Sequence, residues 1–172
     1  NLIGSTTGTT LYASAILLKK TTDNERVLVS LHDSGVDWCE PCSSNKVVFG
    51  YFGTAPDGNG VRYWAIQVGT TVYNTTTPIV VGQTAFLVLK IRFNPTTTDY
   101  DLFVNPTTLG TAGEPASPTL SQSTSTLLRV RSVSLYLGST SGRGAVDELR
   151  FSDNYAVAAP DNTVVLNLPP TG

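Results

Sequence analysis

The segment Ala145–Tyr155, AVDELRFSDNY, has the alternation of a strand that closes an antiparallel sandwich. With a side-chain period of two, Ala145, Asp147, Leu149 and Phe151 share one face, and Val146, Glu148 and Arg150 share the other. This places Asp147 among apolar neighbours. A bare carboxylate there would cost several kcal/mol, so the pattern predicts that Asp147 is paired, hydrogen-bonded or bound to a metal.

Working outward, the rest of the chain has the same grain. Strands are expected at Leu11–Lys20, Arg26–His32, Lys46–Phe52, Val61–Val68, Thr71–Tyr73, Ala85–Phe93, Tyr100–Val104, Leu127–Leu137, Gly144–Phe151 and Thr163–Leu168. Turn chemistry separates many of them, at Asp57-Gly58-Asn59-Gly60, Asn94-Pro95, Asn105-Pro106 and Ser139–Gly142. The 25 threonines and frequent valines suit strands, and almost nothing has helical period. The expected fold is all-β, a two-sheet antiparallel sandwich.

Three segments, FLVLKIRFN at Phe86–Asn94, LFVNPTTLGTAGEPASP at Leu102–Pro118 and the closing VDELRFS, resemble the LamG-like, concanavalin A-type jelly-roll domains of exported bacterial proteins. The resemblance is to the kind whose precursors carry a PEP-CTERM sorting signal, and it covers roughly Leu11–Pro160. It implies a jelly roll, an extracellular or cell-surface address and a glycan-binding role that is common in such domains without being universal. Related sandwiches often hold one calcium ion, for which Asp147 is the candidate ligand. Asp33, Asp37, Asp57, Asp99, Asp101 and Asp153 are further acids, in no EF-hand spacing.

At 172 residues the chain is long enough for one domain with a substantial core. We divide it into an extended N-terminal segment, residues 1–10, the sandwich, residues 11–160, and a C-terminal strand and linker, residues 161–172. Charged residues make up 14% and the net charge is -2, which offers no basic surface to nucleic acid. No apolar run reaches the roughly 18 to 20 residues of a membrane span. The chain opens on Asn1, which is read as the start of a processed product or an excised domain.

Trp38-Cys39-Glu40-Pro41-Cys42 holds both cysteines. The pair Cys39 and Cys42 reads as a small-loop disulfide, with free thiols or a metal or redox role as alternatives. One pair plus the single histidine, His32, falls one ligand short of a four-ligand zinc site.

Alternation also sorts the side chains open to a ligand. In Phe86–Phe93, Leu87, Leu89, Ile91 and Phe93 form the inner row and leave Phe86, Val88, Lys90 and Arg92 outside. Trp64 reads as core, with Tyr63 and Gln67 facing out. Val133, Leu135 and Leu137 read as inward, with Tyr136 opposite. Tyr63, Gln67, Lys90, Arg92 and Tyr136 are therefore expected to line a polar sheet surface with aromatic patches. Trp38 is a further stacking platform, or else packs on the sandwich edge. Aromatic faces suit the C–H groups of a sugar ring, and planar or charged donors suit its hydroxyls.

A catalytic reading fails on spacing. Asp147 and Glu148 are adjacent, so they point to opposite faces and cannot flank one glycosidic bond. Asp99 and Asp101 alternate correctly but flank an expected turn. No G-x-S-x-G elbow presents a serine. The sequence thus points to a non-catalytic carbohydrate-binding or adhesive module acting on a polysaccharide or cell-surface glycan. The alternative is a structural subunit of a surface layer or filament, self-associating through Asn1–Thr10 or Thr163–Leu168.

Overall fold

The computed structural model describes residues 3–4, 6–22, 24, 26–33, 45–53, 60–138 and 144–161. Among the described residues ten strands run β1 (Thr9–Lys19), β2 (Val27–His32), β3 (Lys46–Tyr51), β4 (Tyr63–Val68), β5 (Thr71–Pro78), β6 (Thr84–Phe93), β7 (Thr98–Val104), β8 (Leu120–Thr124), β9 (Ser132–Tyr136) and β10 (Gly144–Ser152). A single turn of helix, α1 (Tyr155–Ala158), follows. No helix among the described residues is long and apolar enough to cross a membrane. Trp38, Cys39, Cys42 and the strand expected at Thr163–Leu168 lie outside the described residues.

The strands form two antiparallel five-stranded sheets, β10-β1-β6-β7-β8 and β5-β4-β3-β2-β9, packed as a β-sandwich. The core lies between them. From the first sheet it takes Leu11, Ala13, Ala15 and Leu17 with Leu87, Leu89, Ile91 and Phe93; from the second, Val27, Val29, Leu31, Phe49, Trp64 and Ile66. All of these but Ala13 and Ala15 are β-branched, long or aromatic; they fill the space between stacked sheets, and their burial drives the fold. The rows expected for β6 and for Trp64 are the ones observed.

The closing strand departs from strict alternation. Pairing runs Ile16 to Asp147 and Leu17 to Val146, but Ser14 to Arg150 and Ala13 to Phe151, so one extra residue is inserted between. Glu148 takes up the insertion at φ 53°, as a β-bulge does. The bulge reverses the phase of the strand. Val146 now joins Leu149 against the core, while Asp147 is exposed. The expectation of a buried Asp147 is therefore corrected. Its carboxylate accepts from the Glu148 backbone N–H at 2.8 Å, bracing the bulge, and Glu148 pairs with Arg150.

Three further differences have similar causes. β8 (LSQST) has no apolar period, and it is a strand because β7 pairs with it. Val133 and Leu135 do face inward, opposite Leu31 and Val29. However, β9 is an edge strand, and Val133, Leu135 and Leu137 stay 40%, 48% and 39% exposed. The expected N-terminal arm is tied down in part, because Ile3 exchanges two backbone hydrogen bonds with Val130 and the Gly8 N–H donates to the Phe93 carbonyl.

Candidate functional site

Lys90 and Arg92 stand on the outer face of the first sheet, opposite the core row of β6. Tyr63, Gln67 and Tyr136 stand on the outer face of the second. There Tyr136 packs against a buried apolar cluster of Leu28, Val48, Phe52 and Ala65, and the Gln67 amide is turned back to donate to the Gly69 carbonyl at 2.8 Å. The five residues do not form one surface. The whole sandwich separates the two groups, since stacked sheets alone lie about 10 Å apart. Strand order decides this, and alternation within a strand carries no information about it.

Around Lys90 and Arg92 the pairing register builds two transverse rows. Tyr12, Lys90, Asp101 and Ser121 lie side by side on β1, β6, β7 and β8, and Thr10, Arg92, Asp99 and Ser123 form the row beside them. Asp99 and Asp101 are thus within a strand rather than flanking a turn. The Arg92 guanidinium donates to Asp101 Oδ2 at 2.5 Å and lies 3.7 Å from Asp99 Oδ2. Ser121 donates to Asp101 Oδ1 at 2.7 Å; Ser123 and Asn94 donate to Asp99 at 2.6 and 2.7 Å.

Part of this face is roofed. Tyr155, Ala158 and Ala159 from α1 and its end pack on Tyr12, Val88 and Phe103, so Val88, expected outside, is fully buried. Asn154 caps the helix by accepting from the Ala156 N–H at 2.8 Å. Glu114, from the loop after β7, reaches over the first row, accepting from Lys90 Nζ at 2.8 and 2.9 Å and from the Tyr12 hydroxyl at 2.6 Å. Burial, with the Glu114 hydrogen bond and charge, holds the Tyr12 hydroxyl protonated far above its ordinary range. Burial does the same for Tyr155, pushed up to about 12. What stays open is the second row, toward β8.

The Ser123 hydroxyl, then Asn94 and Arg92, hold the Asp99 carboxyl below its ordinary value against the opposing effect of burial. A carboxyl held low and already accepting two hydrogen bonds is poorly placed to donate a proton to a leaving group. Among the described residues no group of three or more His, Cys, Asp or Glu is arranged to hold a metal ion. With Asp147 exposed, burial no longer demands a partner for it, and its candidacy as a calcium ligand rests on the family resemblance alone.

The lowered Asp99 value has a measurable consequence. A carboxyl with a folded pKa below its unfolded one stabilises the fold above the unfolded value, near pH 4, and loses that contribution as pH falls through the folded value. Ser123→Ala removes the largest cause. On this half-exposed face its cost at pH 7 is expected at about 1 kcal/mol, shrinking toward zero at pH 2. Denaturant titrations of both proteins at the two pH values check it, and an equal loss at both would refute it.

Sequence reasoning did not find Tyr12, Glu114, Ser121 and Ser123. Ser121 and Ser123 sit on the strand that has no apolar signal, and Glu114 arrives from a loop. Comparison of the chain with protein-family models, with curated proteins and with solved structures finds no match in any of the three. The fold and this face define the class: a two-sheet antiparallel β-sandwich with a polar, charge-paired outer sheet face.

Proposed function

We propose that this chain is a non-catalytic carbohydrate-binding or adhesive module, of the LamG-like jelly-roll kind and displayed outside the cell. The observation that supports this reading is the open row Thr10, Arg92, Asp99 and Ser123. Its planar charged groups and hydroxyls are fixed by one another, so little side-chain entropy is lost when a polyol replaces surface water. Vicinal hydroxyls of a sugar can donate to Asp99 and accept from Arg92 together. The reading requires no metal.

The test is a glycan array and polysaccharide affinity gel with the full chain, run with and without chelator. Wild type is expected to be retarded by at least one glycan, and Arg92→Ala to weaken binding by roughly tenfold, about 1.4 kcal/mol. Val80→Ala, on the exposed loop before β6, should leave it unchanged. Absence of any retained glycan would sink this reading.

A structural subunit is the second reading, supported by the exposed apolar Val133 and Leu135 of uncharged β9 and Leu137 just beyond it; among the described residues no strand pairs with the outer side of β9. Unguarded edges of this kind invite strand pairing between molecules. Sedimentation velocity distinguishes the two, since a monomer across the micromolar range would exclude assembly through this edge.

A further inference from the structure

β10 pairs with β1 only as far as Ser152, opposite Tyr12, whereas β1 begins three residues earlier and there pairs with β6 alone. Among the described residues, no strand pairs with β1 beside Thr9, Thr10 and Leu11. A cavity of about 380 Å³ lies there, walled by Thr6, Thr9, Thr10, Phe151, Ser152 and Asp153 among others. That volume falls in the range of small-molecule sites, roughly 300–1,000 Å³. The far wall is held by the Ile3–Val130 bridge and the Gly8–Phe93 hydrogen bond, so the cleft exists before any ligand arrives.

We infer that this cleft is a saccharide subsite, taking one pyranose ring with its C–H face on Phe151 and its hydroxyls on Asp153 and the threonine wall. Phe151 is 37% exposed, an available ring at the rim. The charged neighbours are engaged elsewhere: Asp99, Asp101, Glu114, Asp147 and Glu148 all accept hydrogen bonds or ion pairs. Asp153 has no such partner among the described residues. Successive residues of a strand turn their N–H and C=O to opposite sides, so at least one of Thr9, Thr10 and Leu11 presents its backbone groups to the cleft. Ser152 Oγ accepts from the Asn154 N–H at 3.0 Å and keeps its own proton to donate.

These groups select the ligand class. A wholly apolar ligand would contact Phe151, Leu11 and Ile3 but leave Asp153, the hydroxyls and the backbone groups unused. A cationic side chain would satisfy the carboxylate and leave the hydroxyls and backbone groups unused. A polyol with one apolar face satisfies both, through charge-assisted O–H donation to Asp153 and contact with the phenyl ring.

The subsite rests on the proposed carbohydrate-binding reading and extends it. Thr10, in the cleft wall, is the cross-strand neighbour of Arg92, whereas Phe151 pairs with core-facing Ala13, so the cleft is a second site at the sheet edge beside the outer row.

The experiment is an amide-resolved NMR titration of the full chain. The probes are oligosaccharides of glucose, galactose, mannose, xylose and N-acetylglucosamine, in parallel with Phe151→Ala and Asp153→Asn. Expected are shifts of the Thr9–Leu11 and Phe151–Asp153 amides, and weakening by roughly tenfold in each variant. The exposed Asp153→Asn change should leave the melting temperature unaltered, which keeps the test informative if Phe151→Ala folds poorly. Saccharide binding with shifts confined to β6–β8 and full affinity in both variants overturns the subsite alone. No saccharide binding in wild type overturns the subsite and the proposed function together. Binding of a lysine peptide here in place of every sugar overturns the ligand class.

Discussion

Trp64→Ala is expected to lower the unfolding free energy by about 3–5 kcal/mol, since the indole is the largest fully buried side chain among the described residues. The indole is 2% exposed, on β4, inside the cluster that joins both sheets. The two packed sheets can relax only partly onto the void, so the lost transfer energy and the cavity are both felt. The strand around it is also fixed, because Thr75, buried in the irregular pairing of β4 with β5, donates to the Trp64 carbonyl at 2.8 Å. For a domain whose total stability is about 5–15 kcal/mol, this approaches unfolding. Denaturant titration by circular dichroism checks it: the midpoint should fall with little change in slope, and Trp64→Phe should recover most of the loss. A cost below about 1 kcal/mol would show that the core tolerates the void.

Gly50→Ala is expected to cost about 2–4 kcal/mol, more than its size suggests. Gly50 lies in the middle of β3, between Leu28 on β2 and Ala65 on β4. Its φ is 134°, a backbone conformation that side chains rarely adopt, and a Cβ there would run into the Val27 carbonyl oxygen. Backbone cannot swing aside as the end of a long side chain can, so β2 and β3 would have to separate. Gly82→Ala is the comparison: φ is 83° but a Cβ meets nothing within 4 Å, so only the conformational cost of about 1–2 kcal/mol remains. Equal effects at the two positions would show that the contact with Val27 is not what matters.

The legible parts of this fold are those where one strand's own chemistry is enough. Leu87, Leu89, Ile91 and Phe93 alternate with polar or smaller neighbours, and burial of one face dictates their orientation wherever the strand is placed. The same holds for Trp64 and for the inward direction of Val133 and Leu135. Asp147 was misplaced because a bulge at Glu148 adds one residue to the count, and a non-glycine residue at positive φ leaves no mark in the sequence. Val88 was misplaced because α1 roofs a face that alternation marks as outer. In the site, Lys90 and Arg92 were found as outward cations on β6, but their partners Asp101, Ser121 and Glu114 come from other elements.

The sequence by itself determined the all-β class, most of the strands and the side chains that fill the core, because period and burial are properties of single segments. Only the tertiary structure decided strand order, the phase of the closing strand and the ending of β10 short of β1. These arise from pairing between distant segments, and they are what separate Tyr63 and Tyr136 from Arg92 and open the cleft at Phe151 and Asp153.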